Sequence, residues 1–220
     1  MNRSIFTVAA CLALSCCSRA PSSPPTPETS EADVPHATLP AGRAVQGASL
    51  YQVSMELTDQ DGQALGLDAF AGHPVIISMF YGSCPFACPT LISDVKRIID
   101  KLDQTTRKDV RVLLVSFDPE RDTPAAMKEL AERHRTDQSL FRFARSSEAD
   151  VRKLAAVLGI RYKKLDNGAI NHSTVITVLD RRGMPRYRMD GLKGPPDGAV
   201  SALERVDSPI ARAWGLLTGG

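Results

Sequence analysis

The rhythm of hydrophobic and polar positions changes several times along the chain, and each change marks an element. Val53-Ser54-Met55-Glu56-Leu57 alternates apolar and polar residues and Asp61-Gly62 follows as a turn, which predicts a small hairpin at the start of the folded region. Val75 to Tyr81 is a short apolar run rich in β-formers, the signature of a buried strand, and Leu91, Val95, Ile98, Ile99 and Leu102 then recur at helical spacing. Val110 to Phe117 repeats the buried-strand pattern. Thr123-Pro124 supplies an N-cap and a first-turn proline for a helix whose apolar face is Met127, Leu130 and Ala131, with His134 continuing that face. Leu140 to Ala144 reads as a third strand, Ser147 caps a helix carrying Val151, Leu154, Ala155 and Leu158, and Gly159 ends it. Thr174 to Leu179 and Arg186 to Met189 flank Arg182-Gly183 as a second hairpin, and a last helix runs from about Pro196 to Val206.

Alternating strands and helices, followed by a hairpin and a final helix, describe an α/β sandwich in which parallel and antiparallel strands share one sheet. This is the order of a thioredoxin-like fold: three layers, a mixed β-sheet and, here, an N-terminal β-hairpin. In an open α/β sheet the functional site lies beyond the carboxyl ends of the strands. The segment after Val75 to Tyr81 stands at such an end.

The first residues have a different composition. Met1-Asn2-Arg3, the apolar stretch Ile5 to Leu14 and Ser15-Cys16-Cys17 match the three regions of a signal peptide over residues 1–17, and the apolar stretch is too short to span a bilayer. A cysteine at that junction resembles the lipobox of bacterial lipoproteins, so Cys16 or Cys17 is the expected lipidation site; the alternative is an ordinary secretory signal. Residues 18–47 hold Pro21, Pro24, Pro25, Pro27, Pro35 and Pro40 among Ser, Thr and Glu, a composition expected to form a disordered tether. The folded domain is expected over 48–207 and a tail over 208–220. These features predict a lipid-anchored head on the periplasmic face of a bacterial membrane, or else a protein secreted to the periplasm.

A chain of 220 residues with 43% hydrophobic content suffices for one compact domain plus a leader and a tail. Its 27 basic and 25 acidic residues are mixed along the chain, so no stripe of charge exists to neutralise a run of phosphates, which argues against nucleic acid as a partner.

With Cys11, Cys16 and Cys17 assigned to the leader, the folded domain owns two thiols, in Cys84-Pro85-Phe86-Ala87-Cys88. Residues four apart on a helix have Cβ atoms about 5 to 6 Å apart, whereas a disulfide wants about 3.5 to 4.5 Å. A metal with bonds near 2.3 Å, as in zinc thiolates, bridges the wider gap without strain, so metal binding is at least as natural as a disulfide. Pro85 and Pro89 bend the segment and remove two N–H donors. A thiol near a helix N-terminus has a lowered pKa, which prepares it for either use. Of the four histidines, His172 in Asn171-His172-Ser173 is placed best to complete a ligand set, because a loop at a strand start can face the cysteine loop; His36 lies in the tether, His73 in a turn, and His134 on a helix.

Three blocks, Phe80-Tyr81-Gly82-Ser83-Cys84-Pro85-Phe86-Ala87-Cys88-Pro89, Ser116-Phe117-Asp118-Pro119-Glu120-Arg121-Asp122-Thr123-Pro124 and Asn171-His172-Ser173, together resemble the Sco family, also called SenC. The resemblance implies a thioredoxin-like fold, copper bound by Cys84, Cys88 and His172, and a chaperone that delivers copper to the copper-bearing subunit of cytochrome c oxidase, with other copper chaperones or thiol reductases as further partners. The chain departs from the family at Phe86-Ala87, where an Asp commonly follows the first Pro, and in its anchor, since many members use a transmembrane helix. Two thiolates and an imidazole make a soft, three-coordinate site suited to Cu(I), while zinc prefers a fourth ligand. Asp118 and Asp122 are read as supporting the site from behind or as capping the helix after Thr123, not as ligands.

A rival reading is a thiol-disulfide oxidoreductase in which Cys84 attacks and Cys88 resolves. Three intervening residues instead of two, and the presence of His172, weigh against it. A peroxidase of peroxiredoxin type stands third.

Overall fold

The computed structural model describes residues 48–206; the expected leader, tether and tail, with Cys11, Cys16, Cys17 and His36, lie outside the described residues. A seven-stranded mixed sheet forms the middle of the domain. It comprises β1 (Leu57–Asp59), β2 (Ala64–Leu65), β3 (Val75–Phe80), β4 (Arg111–Ser116), β5 (Phe141–Arg145), β8 (Val175–Leu179) and β9 (Pro185–Asp190), in the order β2-β1-β5-β4-β3-β8-β9. A separate hairpin pairs β6 (Tyr162–Lys164) with β7 (Ile170–His172). The helices are α1 (Ala87–Lys101), α2 (Gln104–Asp109), α3 (Pro124–Arg133), α4 (Glu148–Val157) and α5 (Asp197–Val206).

Every residue of β3 and of β8 is buried, which is what strands covered on both faces require and what their continuous apolar runs anticipate. Phe80 and Phe143 meet edge to face in this core, with ring centroids 5.4 Å apart. One face of α1, from Leu91 through Val95 to Ile98 and Ile99, is buried, and its far end is tied to α5 by Lys101 and Asp197 at 2.8 Å. Thr123 Oγ1 accepts the Ala126 N–H with Pro124 opening α3, and Ser147 caps α4 in the same way through Asp150. Gly159 ends α4 at φ +63°, with Ile160 N–H reaching back to the Ala155 carbonyl at 2.8 Å, a Schellman close that favours a residue without a Cβ.

Strand register fixes where the site will be. β3 and β4 run parallel and pair from Val75–Arg111 to Phe80–Ser116, so the cysteine segment and the Ser116–Pro124 segment leave the sheet side by side. β8 runs antiparallel to β3, and Ser78 Oγ donates to the Val175 carbonyl at 2.6 Å, so the chain before Val175 arrives at the same edge.

Several expectations shift. The alternating run at Val53–Leu57 is a strand only from Leu57; the residues before it follow a short 3-10 turn at Leu50–Gln52, and the hairpin pairs Leu57 with Leu65 around Asp61-Gly62. The short helix α2 went unpredicted, because Gln104–Asp109 has no apolar face; its start is fixed by Asp103, whose carboxylate accepts the N–H groups of Thr105 and Thr106. His134 is not on the face of α3 but caps its C-terminus. The β6–β7 hairpin was missed as well: three-residue strands are too short to show a period.

Candidate metal centre

Helix α1 begins at Ala87, so Cys88 sits in its first turn while Cys84 lies in the preceding loop. The separation expected for two cysteines on one regular helix therefore does not apply. Instead the open N-terminal end of α1 is directed at one sulfur: the backbone N–H groups of Cys88, Phe86 and Ala87 and the Tyr81 hydroxyl hydrogen-bond to Cys84. Burial alone would push the Cys84 thiol up, yet these four donors hold it below the ordinary cysteine range.

Cys88 is the opposite case. It is 1% exposed, against 9% for Cys84, and is bracketed by the peptide groups of Tyr81, which donates N–H to its sulfur at 3.3 Å and accepts its S–H at 3.1 Å. Burial pushes its thiol well above the ordinary range, and a charge on Cys84 raises it further. Both cysteines are free thiols.

His172 ends β7, paired across the hairpin with Tyr162. Its Nδ1 lies 3.2 Å from the Ser173 carbonyl, which can only accept, so Nδ1 carries the proton and the Nε2 lone pair is left for a ligand. The ring packs between aromatic neighbours, Phe117 at 4.9 Å and Tyr81 at 5.7 Å. Burial pushes its pKa down, keeping the imidazole neutral, and only the Ser173 hydrogen bond opposes this.

These three elements bring one sulfur from a loop, one from a helix start and one imidazole from a hairpin to within 4.8 Å of one another. A trigonal metal with bonds of about 2.3 Å spaces its donors about 4 Å apart, so the set closes on a metal with small movements. The three residues singled out in the sequence are thus brought together; His73 and His134 are not among them. His73 pairs with Asp109 at 2.7 Å.

Among the described residues, no carboxylate joins the group. Asp122 is buried and accepts the Gly82 N–H at 3.0 and 3.1 Å together with the Ser116 hydroxyl. Asp118 binds the Arg121 guanidinium and its own N–H is held by Ser116 Oγ at 2.8 Å. Both carboxylates support the site from behind, and the capping role falls to Thr123 alone. Sequence reasoning did not single out Arg121, Tyr81, Phe117 and Tyr162; the signal available was that three of them stand inside or beside the blocks quoted above.

The family model described as SCO1/SenC matches residues 43–207. The chain belongs to the SCO1/SenC family. Among relatives, the SCO2-like protein RP587 of Rickettsia prowazekii is 27% identical over 143 residues, covering 61% of this chain and 68% of its own. Among solved structures, Bradyrhizobium japonicum ScoI with copper bound is 28% identical with a TM-score of 0.59, covering 69% of this chain and 96% of that one. A SCO1/SenC family lipoprotein of Bacillus anthracis has a TM-score of 0.64 at 21% identity over 70% of this chain and 92% of its own, a likeness of fold.

Proposed function

We propose that this SCO1/SenC protein is a copper chaperone that carries Cu(I) on Cys84 Sγ, Cys88 Sγ and His172 Nε2 and hands it to the copper-bearing subunit of cytochrome c oxidase. The observation that carries the proposal is the convergence of two sulfurs and one neutral imidazole, with no further histidine, cysteine or carboxylate in the group among the described residues. Thiolates and imidazole suit Cu(I), and a three-donor set leaves a position through which an acceptor's ligand can enter. The copper-bound ScoI of Bradyrhizobium japonicum supports the choice of metal.

Access supports a carrier as well. Ser83, Pro85 and Phe86 around Cys84 are exposed, Phe86 to 82%, so the rim of the site faces solvent while Cys88 forms its floor. Delivery to the oxidase, a lipid anchor on Cys16 or Cys17 and a periplasmic location belong to the same proposal and rest on the sequence blocks and the leader pattern.

One observation favours a second reading. A lowered Cys84 beside a raised Cys88 is the asymmetry of an attacking and a resolving thiol, as thiol-disulfide exchange on the oxidase cysteines would use.

Anaerobic titration of the reduced protein with Cu(I) against a chromophoric competitor separates the two, run beside Cys84→Ser and His172→Ala. Tight one-to-one binding that both variants lose supports the carrier. Weak binding indifferent to His172 transfers the assignment to thiol-disulfide exchange.

A further inference from the structure

We propose that Arg121 is a positioning residue that fixes the His172 hairpin against the cysteine loop, so that the segment between β4 and α3 sets the spacing of the three donors. The proposal rests on the three-donor reading above. It starts from the hairpin itself: among the described residues, β6 and β7 pair only with each other and share no ladder with the seven-stranded sheet. A lone pair of three-residue strands has little stability of its own, so the position of His172 depends on what holds the hairpin.

Arg121 Nη2 donates to the Gly168 carbonyl in the hairpin turn at 2.5 Å. Gly168 has φ +80°, and a Cβ there would lie 3.3 Å from Arg121 Nη1, so the guanidinium is seated closely against the turn. The other edge of the same guanidinium binds the carboxylate of Asp118, a side chain only 4% exposed. From Asp118 the connection runs through Ser116 Oγ to Asp122, and from Asp122 to the N–H of Gly82, two residues before Cys84. One segment thus holds the loop that bears Cys84 at one end and the hairpin that ends in His172 at the other. Serving two partners from two edges needs the planar fork of arginine; a lysine ammonium is a single point of attachment. The hairpin has further contacts: the Ile170 N–H donates to the Tyr81 hydroxyl, Phe117 packs against Tyr162 and His172, and Lys164 meets Glu148 at 2.6 Å in a pair exposed on both sides that contributes little. Of these polar ties, Arg121 is the one that fastens the turn at Gly168.

The test is a double-mutant cycle on Cu(I) affinity with Arg121→Gln and His172→Ala, together with amide hydrogen exchange of the metal-free protein. Loss of a residue that orients a ligand typically costs about 10- to 100-fold in metal affinity. Arg121→Gln should weaken binding by that amount when His172 is present and change it less than about twofold in the His172→Ala background. In the metal-free protein, exchange at Ile170, Asn171 and His172 should quicken while β3 and β4 keep their protection. Equal loss in both backgrounds, or no loss in either, overturns the proposal. Arg121→Gln leaves Asp118 buried without its partner, so Arg121→Gln/Asp118→Asn is measured alongside: a defect from the orphaned charge disappears in it, and the loss of positioning persists. If His172→Ala alone leaves Cu(I) affinity unchanged, it is the three-donor reading that fails, and the exchange data on the metal-free hairpin still decide whether Arg121 holds it.

Discussion

Asp122 and Gly82 are 40 residues apart, and the carboxylate of the first accepts the backbone N–H of the second with both oxygens, at 3.1 and 3.0 Å. Because Ser116 donates to the same carboxylate, the cysteine loop is fastened to the end of β4 by a buried acceptor, whose pKa burial pushes up against the pull of the Ser116 and Gly82 hydrogen bonds. Asp122→Ala would leave the Gly82 N–H and the Ser116 hydroxyl without an acceptor, at a cost of roughly 1–3 kcal/mol, read as a lower urea midpoint with an unchanged slope. Asp122→Asn keeps one oxygen and should cost less. Equal stability of Asp122→Ala and the native protein would show that the loop is held by other contacts.

The two thiols should separate in reactivity. Donors around Cys84 outweigh its burial and favour its thiolate, while burial keeps Cys88 protonated. Near neutral pH, iodoacetamide should therefore modify Cys84 first and reach Cys88 only after unfolding, which mass spectrometry of time points resolves. Tyr81→Phe removes one of the donors and should slow the Cys84 reaction several-fold. Preferential labelling of Cys88 in the folded protein would contradict this electrostatic account.

Acid should weaken the protein partly through Asp109, which precedes β4 at the end of the strands opposite the cysteine loop. Its burial would raise its pKa, but hydrogen bonds from His73 and Arg181 prevail and hold it below the ordinary carboxylate value. A carboxylate depressed in the folded state contributes stability above its unfolded pKa of about 3.9 and loses it as pH falls through the folded value. The urea midpoint of the native protein should decline through that range, and Asp109→Asn should lower the midpoint at neutral pH and flatten the decline. An unaltered pH profile in Asp109→Asn would place the acid sensitivity elsewhere.

The buried strands and the capped helices could be read from residue types because each carries a local signal: the apolar runs of β3, β4 and β8, Thr123 and Ser147 as caps, Gly159 as a stop. The three donors were legible for another reason, since Cys and His are rare in the folded part and the strand order sends both segments to one edge. The shape of the site was not legible. Whether Cys84 lies on α1 or before it depends on how Pro85 and Pro89 seat in the turn, and this decides that three N–H groups converge on one sulfur and not the other. The hairpin under His172 leaves no periodic trace in three-residue strands. The roles of Asp118, Arg121 and Asp122 depend on contacts with Gly82 and Gly168, which only the folded chain brings near.

The state of His172 should set how copper binding responds to acid. Burial against Phe117 and Tyr81 depresses its pKa below the ordinary histidine value of about 6.5, so the imidazole remains neutral where an exposed histidine would be half protonated. Dividing the Cu(I) affinity of the native protein by that of His172→Ala at each pH cancels proton competition at the two thiols and isolates the imidazole. The ratio should be constant above about 6.5 and fall only at lower pH, as the proton begins to compete for Nε2. The same depression makes the folded protein lose stability as pH falls below the unfolded histidine pKa, because the unfolded chain takes up that proton more readily. Phe117→Ala opens the ring to water, so its ratio should begin to fall at higher pH than in the native protein. A native ratio that already declines at or above 6.5 would mean that burial does not protect the imidazole, and the aromatic packing around His172 would then serve orientation alone.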